Sequence, residues 1–188
     1  MAAAEGAAPR RSGRGILLTL GFVGVVAYGG QFLVRRYVDQ QIQHAVGQPL
    51  PEFALRDQGG TVWTAAALRG RPAVLHFFRS YCHSCEAEAP ALRALEQTLD
   101  PQRVTLLHVM TDVVLAVEPA VTQATLARKG FARPVLLADA AFMDAFHSVR
   151  WSQVTPITYV VDAAGVVRQG LRGPQTVASV QAALAAVQ

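Results

Sequence analysis

The two cysteines of this 188-residue chain stand three apart, in Phe78-Arg79-Ser80-Tyr81-Cys82-His83-Ser84-Cys85. Sulfurs at that spacing can alternate between two thiols and one disulfide. An apolar run, Ala73 to Phe78, precedes them and reads as a strand; Glu86 to Leu99 follows and reads as a helix. This order delivers Cys82 to a helix N-terminus, where unpaired backbone N–H groups and the helix dipole favour a thiolate. Cys85 then lies one turn further on. The thiolate is the attacking species in thiol–disulfide exchange, and that is the expected chemistry.

Other uses of the pair fit less well. A structural staple closing so small a ring removes only about 2 kcal/mol of chain entropy. Zinc asks for four ligands, and no second Cys-x-x-Cys or His-x-x-x-His tract completes a set. Covalent haem attachment needs His after the second cysteine, where Glu86 stands. Neither a metal site nor a cofactor is expected.

The elements around the pair follow from breakers and periodicity. Gly47-Gln-Pro-Leu-Pro51 punctuates a domain start. Strands are expected at Glu52–Leu55, Thr61–Trp63, Ala73–Phe78, Arg103–Met110, Val135–Ala138, Ile157–Val161 and Val166–Gln169. Helices are expected at Pro119–Lys129, Ala140–His147 and from Pro174, as first helical residue, to about Val187. Strands alternating with helices imply an α/β sheet, mixed because Asp162-Ala-Ala-Gly165 turns the last two strands into a hairpin.

The N-terminal part has a different composition. Gly15 to Val34 carries no charge, and a 20-residue helix spans roughly 30 Å, the hydrocarbon thickness of a bilayer. Arg10, Arg11 and Arg14 precede it, which argues for a cytoplasmic N-terminus; Arg35 and Arg36 beyond it reduce the contrast. The expected organisation is a cytoplasmic segment 1–14, a transmembrane signal-anchor 15–34, a spacer 35–46 and a catalytic domain 47–188 outside the inner membrane, in the periplasm. A cleaved signal peptide ending near Ala27-Tyr28-Gly29, giving a secreted protein, is the alternative. Net charge is +4, of which residues 1–14 hold +2, and no basic patch interleaved with aromatics suggests nucleic acid.

These residues together resemble the thioredoxin fold of membrane-tethered TlpA/ResA proteins, a group including cytochrome c maturation reductases of the DsbE kind and ScsD-like oxidoreductases. The resemblance runs from Gly47 to Gln188. It is carried by Gly47-x-Pro49…Phe53, by Leu75-His-Phe-Phe-x-x-Tyr-Cys-His-Ser-Cys-x-x-Glu88-x-Pro90, and by Val154-Thr-Pro-Ile-Thr-Tyr-Val-Val-Asp162 with Gly165. It implies a three-layer thioredoxin-like fold and a protein-disulfide oxidoreductase acting on exported protein thiols and disulfides, recycled by a membrane thiol-redox partner. Cys82 would be the exposed attacking thiol and Cys85 the buried resolving one. Thr155-Pro156 would form a cis peptide facing the dithiol, leaving nearby backbone free to pair with a substrate, and Tyr81 would pack beside Cys82. Glu88 matches an acid that exchanges protons with the second cysteine, the alternative being a solvated helix glutamate. His83, when protonated, would stabilise the Cys82 thiolate. His76 stands where thioredoxins carry a buried Asp, either as a proton acceptor or as a satisfied core residue; Trp151 packs in the core or lines a substrate groove. His44, His108 and His147 have no assigned role.

Two other functions use the same sulfurs. A Cu(I) metallochaperone would bind through Cys82, Cys85 and a His, although Sco-type carriers use a spacing one residue longer. A peroxiredoxin-like peroxidase needs Thr three residues before its reactive cysteine, and Arg79 occupies that place.

Overall fold

Two runs in which every residue is buried, Ala73–Phe78 (β3) and Thr105–Met110 (β4), form the parallel centre of the sheet. Continuous apolar runs of this kind belong to strands covered on both faces. The computed structural model describes residues 13–146 and 148–187; the expected segment 1–14 up to residue 12, and His147, lie outside the described residues. The chain divides after Asp39 into two units.

Helix α1 (Gly13–Gln43), most of it in the first unit, contains a stretch from Ile16 to Gln43 long and apolar enough to cross a membrane. Leu17, Leu18, Phe22 and Val25 along it are at least 70% exposed. An apolar surface of that extent signals a non-aqueous neighbour. The helix continues through residues 35–43 of the expected spacer, read as short helical or flexible, because no Gly or Pro interrupts that charged and amide-rich segment.

The second unit opens with a two-stranded antiparallel hairpin, β1 (Ala54–Arg56) and β2 (Val62–Thr64), and a short 3-10 turn, Ala66–Leu68. After β3 come α2 (His83–Thr98), β4, α3 (Pro119–Lys129), β5 (Val135–Leu137), α4 (Ala140–Phe146), β6 (Ile157–Val161), β7 (Val167–Arg172) and α5 (Val177–Ala185). The five-stranded order is β5-β4-β3-β6-β7, with β6 antiparallel to both its neighbours β3 and β7, so that β7 runs in the same direction as β3, β4 and β5. The mixed sheet is as expected, and so is the thioredoxin-like arrangement of helices around it. One helix start differs: α5 begins after Thr176, not at Pro174. Thr176 and Ser179 cap each other reciprocally, which satisfies the first N–H groups two residues beyond the proline.

Strand alternation sorts β3 into two faces. Leu75 and Phe77 pack away from α2, with Phe77 stacked on Phe142 and Phe146. Val74 joins Leu92, Leu95, Val180 and Leu184 on the other face, and Phe78 reaches the two cysteines. Each fully buried Leu or Val there contributes about 1.5–3 kcal/mol. His76 lies between Val74 and Phe78, on the face of α2.

Candidate active site

Cys82 is the N-cap of α2: its backbone is extended (φ −115°, ψ 99°), and its Sγ accepts from the Cys85 N–H at 3.1 Å. The sulfurs are bonded to each other, S–S 1.97 Å, with Cα atoms 5.2 Å apart. A sulfur at this point receives a backbone N–H and the positive end of the helix dipole, both of which favour the thiolate form on reduction. Cys85 is 1% exposed and Cys82 6%. The expected contrast of an exposed and a buried sulfur is therefore corrected to a difference of degree. Neighbouring side chains wall Cys82 in, so that it meets solvent through a cleft of about 790 Å³ lined also by Tyr81, His83, Glu86, Thr125 and Arg128.

The wall opposite is the loop before β6. Thr155–Pro156 is a cis peptide, as expected, and the Thr155 carbonyl oxygen lies 3.7 Å from Cys82 Sγ. The Thr155 hydroxyl is buried and has no hydrogen-bond partner. Ser84, Gln153, Thr155, Pro156 and Arg172 line a second groove on this side. Tyr81, expected to pack beside Cys82, lines the cleft with it but is 74% exposed, its backbone at φ 53°. His83 is exposed beside it.

What holds the loop between β3 and α2, just ahead of Cys82, is a buried carboxylate. Asp112, just after β4, accepts from the Ser80 N–H at 2.7 Å, the Ser80 hydroxyl at 2.6 Å and the Thr122 hydroxyl at 2.9 Å. Ser80 Oγ also shares a 2.7 Å bond with Thr125 Oγ1. Three donors satisfy a charge that burial alone would penalise.

Behind the pair, under α2, the buried groups form a chain. Glu88 is 2% exposed, not a solvated helix residue. Its Oε1 accepts from the Gln175 N–H at 2.7 Å, and its Oε2 lies 3.2 Å from His76 Nε2. His76 Nδ1 faces His108 Nδ1 at 3.0 Å, and His108 Nε2 lies 3.0 Å from Glu96 Oε1. Glu96 also accepts the N–H groups of Ala132 and Arg133. Burial pushes the Glu96 carboxyl up, but the bonds from His108 and from these two N–H groups outweigh it and hold it below its ordinary value. Burial drives His108 down to about 4, so its ring is neutral at pH 7.

The chain's one lysine, Lys129, is also buried; its ammonium donates to the Cys85 carbonyl and lies 3.2 Å from Glu86. Burial lowers its pKa, and Glu86 offsets part of that. The Arg128 guanidinium beside Glu86 keeps that carboxyl low.

Of the residues expected from sequence, Cys82, Cys85, Tyr81, His83, Thr155 and Pro156 come together around the cleft and groove. Glu88 and His76 meet each other on the far side of α2, one turn from Cys85. Trp151 is partly buried in a 3-10 turn, and His44 is exposed, away from these groups. His108, Glu96, Asp112 and Lys129 were missed. A signal for His108 existed: Leu75-His76 and Leu107-His108 are equivalent positions of two apolar strands, and register pairs them.

Comparison with known proteins agrees with this geometry. The AhpC/TSA family profile matches residues 46–170, about two thirds of the chain. The thiol-disulfide oxidoreductase ResA of Geobacillus thermodenitrificans is 26% identical over 162 residues, covering 86% of this chain and 85% of ResA. The thiol:disulfide interchange protein DsbE of Pseudomonas fluorescens is 33% identical over 76 residues, 40% of this chain and 41% of DsbE. Among solved structures, StoA from Bacillus subtilis superposes with a TM-score of 0.60 at 19% identity, covering 72% of this chain and 97% of StoA. A sheet of this order, a Cys-x-x-Cys pair capping α2 and these similarities lead to one assignment: the chain belongs to the AhpC/TSA family, as a thioredoxin-fold thiol–disulfide oxidoreductase of the ResA/DsbE kind.

Proposed function

We propose that this oxidoreductase exchanges disulfides with exported protein clients while anchored in the inner membrane by α1, its N-terminus in the cytoplasm and its catalytic unit in the periplasm. Cys82 is the attacking thiol. The observation that carries this is its position: it caps α2 on the wall of an open cleft, while Cys85 sits behind it, nearly inaccessible. A client disulfide is attacked by the Cys82 thiolate, the client's sulfur leaves as a thiolate, and a mixed disulfide remains. Cys85 then attacks Cys82 Sγ, expels the second client sulfur and closes the internal disulfide. Two electrons pass to the client; run backwards, the same steps oxidise a client dithiol.

The surroundings suit this cycle. The Thr155 carbonyl beside Pro156 offers a main-chain acceptor to an extended segment laid across Cys82. Tyr81 gives that segment an exposed aromatic face, and protonated His83 steadies the thiolate. Glu88, one turn from Cys85 on the buried face of α2, exchanges a proton with it. A membrane thiol-redox partner resets the pair. If the apolar helix is instead removed as a signal, the same unit works as a secreted enzyme.

The test is a trap. Full-length Cys85→Ser expressed in cells, acid-quenched and alkylated, accumulates mixed disulfides between Cys82 and exported proteins, at least tenfold above the unsubstituted chain. Adducts confined to cytoplasmic proteins would refute the orientation.

A further inference from the structure

The proton count of the buried chain Glu88–His76–His108–Glu96 is fixed by its contacts. Each of the three links joins two atoms 3.0–3.2 Å apart, so each needs one proton between them. Two neutral imidazoles supply two. The third is one proton in excess, held by four residues away from water.

Its position follows from the Glu96 end. The Glu96 carboxylate already accepts from two backbone N–H groups and is an acceptor toward His108, so the His108 proton sits on Nε2. His108 Nδ1 is then bare and accepts from His76 Nδ1–H. With His76 Nδ1 occupied, the remaining proton lies between His76 Nε2 and Glu88 Oε2. The other groups facing the chain leave this order unchanged. On α3, the Lys129 ammonium donates its hydrogen bonds to the Cys85 carbonyl and Glu86, and adds only a distant positive charge toward Glu88. The Arg133 guanidinium is turned to the carbonyls of Glu96 and Leu99. Thr158 on β6 stands in register with His76, its buried hydroxyl without a hydrogen-bond partner. The Gln175 N–H occupies the other Glu88 oxygen.

We propose that Glu96 and His108 are positioning residues that lock the tautomer of His76, so that the Glu88–His76 contact holds one proton while the sulfurs are bonded and takes that proton from Cys85 when its thiolate must form. The inference rests on the Glu88 reading above and extends it to two residues remote from the sulfurs. The balance is simple. When an incoming thiolate opens the disulfide at Cys82, Cys85 leaves as a thiolate and receives the stored proton as a thiol. In the reverse step the Cys85 thiol returns the proton to Glu88–His76, and the resulting thiolate attacks Cys82, breaking its bond to the client. While the proton is on Cys85, the chain has two protons for three links, and one pair of lone pairs opposes. That repulsion draws a proton back to the Glu88–His76 link, which a carboxylate already hydrogen-bonded to an Nε2–H imidazole would not do.

Removing His108 tests this. In His108→Phe the ring still stacks on Phe131, which the imidazole meets at 3.8 Å between centroids, but His76 is free to carry its proton on Nε2 and satisfy Glu88. The base is then weaker. The reduced full chain in mild detergent is mixed with the aromatic disulfide bis(nitrobenzoate), which releases one coloured thiolate as Cys82 attacks and a second as Cys85 resolves the adduct. In His108→Phe the second phase slows about tenfold at pH 7, and its pH midpoint rises by about one unit, while the first phase is unchanged. An unchanged pH midpoint in the second phase overturns the proposal. If instead the unsubstituted chain shows no second phase, the dithiol cycle itself is at fault. Nitrogen NMR of the unsubstituted chain gives a check that needs no variant: the oxidised form shows His108 protonated on Nε2 and bare on Nδ1. A proton on His108 Nδ1 overturns the lock.

Discussion

Cys82→Ser brings client reduction down to the uncatalysed rate. In a dithiothreitol-driven insulin assay the variant is indistinguishable from buffer, because an oxygen at this position neither ionises near pH 7 nor forms a bond to a client sulfur. The loss is not one of folding. Serine is among the best N-cap residues, so its hydroxyl takes over the hydrogen bond from the Cys85 N–H and α2 keeps its start. The missing disulfide costs about 2 kcal/mol relative to the oxidised chain and little relative to the reduced one. Thermal unfolding of the variant therefore matches that of the reduced parent, while turnover disappears. Retention of even a tenth of the parent activity would move the attack to another group.

The second large effect is structural and lies a strand away. Asp112→Ala removes the shared acceptor of three buried donors, from Ser80 N–H, Ser80 Oγ and Thr122 Oγ1. Each stranded donor costs roughly 1–3 kcal/mol, and partial re-pairing of Ser80 with Thr125 recovers some of it; a net loss of about 4 kcal/mol is expected. For a catalytic unit of this size that is a fall in melting temperature of about 10 °C. Exchange activity falls with it at temperatures where the fold survives, because Ser80 sits two residues before Cys82 and loses its tether. Asp112→Asn keeps the shape and one acceptor oxygen, and loses about half as much. Differential scanning calorimetry with parallel activity assays separates the two. An Asp112→Ala chain as stable as the parent would contradict the role of this carboxylate.

Both effects reflect how local chemistry and tertiary register divided between sequence and structure. The dithiol was legible because its signals are local: strand, Cys-x-x-Cys, helix, then Thr-Pro ahead of another strand. Helix α3 was read to the residue, since Pro119 opens it and Gly130 closes it in the left-handed conformation. Helix α5 was misplaced because Pro174 marks a permissible start, whereas the reciprocal Thr176–Ser179 cap decides the actual one. The buried polar groups were harder. Glu88 and Glu96 are eight residues apart on one helix, and His76 and His108 are 32 apart on neighbouring strands. Only the parallel register of β3 and β4 and the packing of α2 across them turns these four into a chain. Asp112 needed the same kind of knowledge, because its partners lie on a loop and a helix that only the fold brings to it. Cys82 was expected to be exposed from the family resemblance; the fold gives it a cleft instead of a surface.

The central claim is that Cys82 and Cys85 interconvert together between dithiol and disulfide. Equilibrating the full chain with glutathione mixtures of stepped ratio, quenching with acid and counting alkylated sulfurs by mass spectrometry tests it most directly. The account predicts a single transition in which both sulfurs gain or lose their labels at once, fitting a two-electron couple. Sulfurs that titrate independently as glutathione adducts, or that keep one state across the whole series, would contradict it.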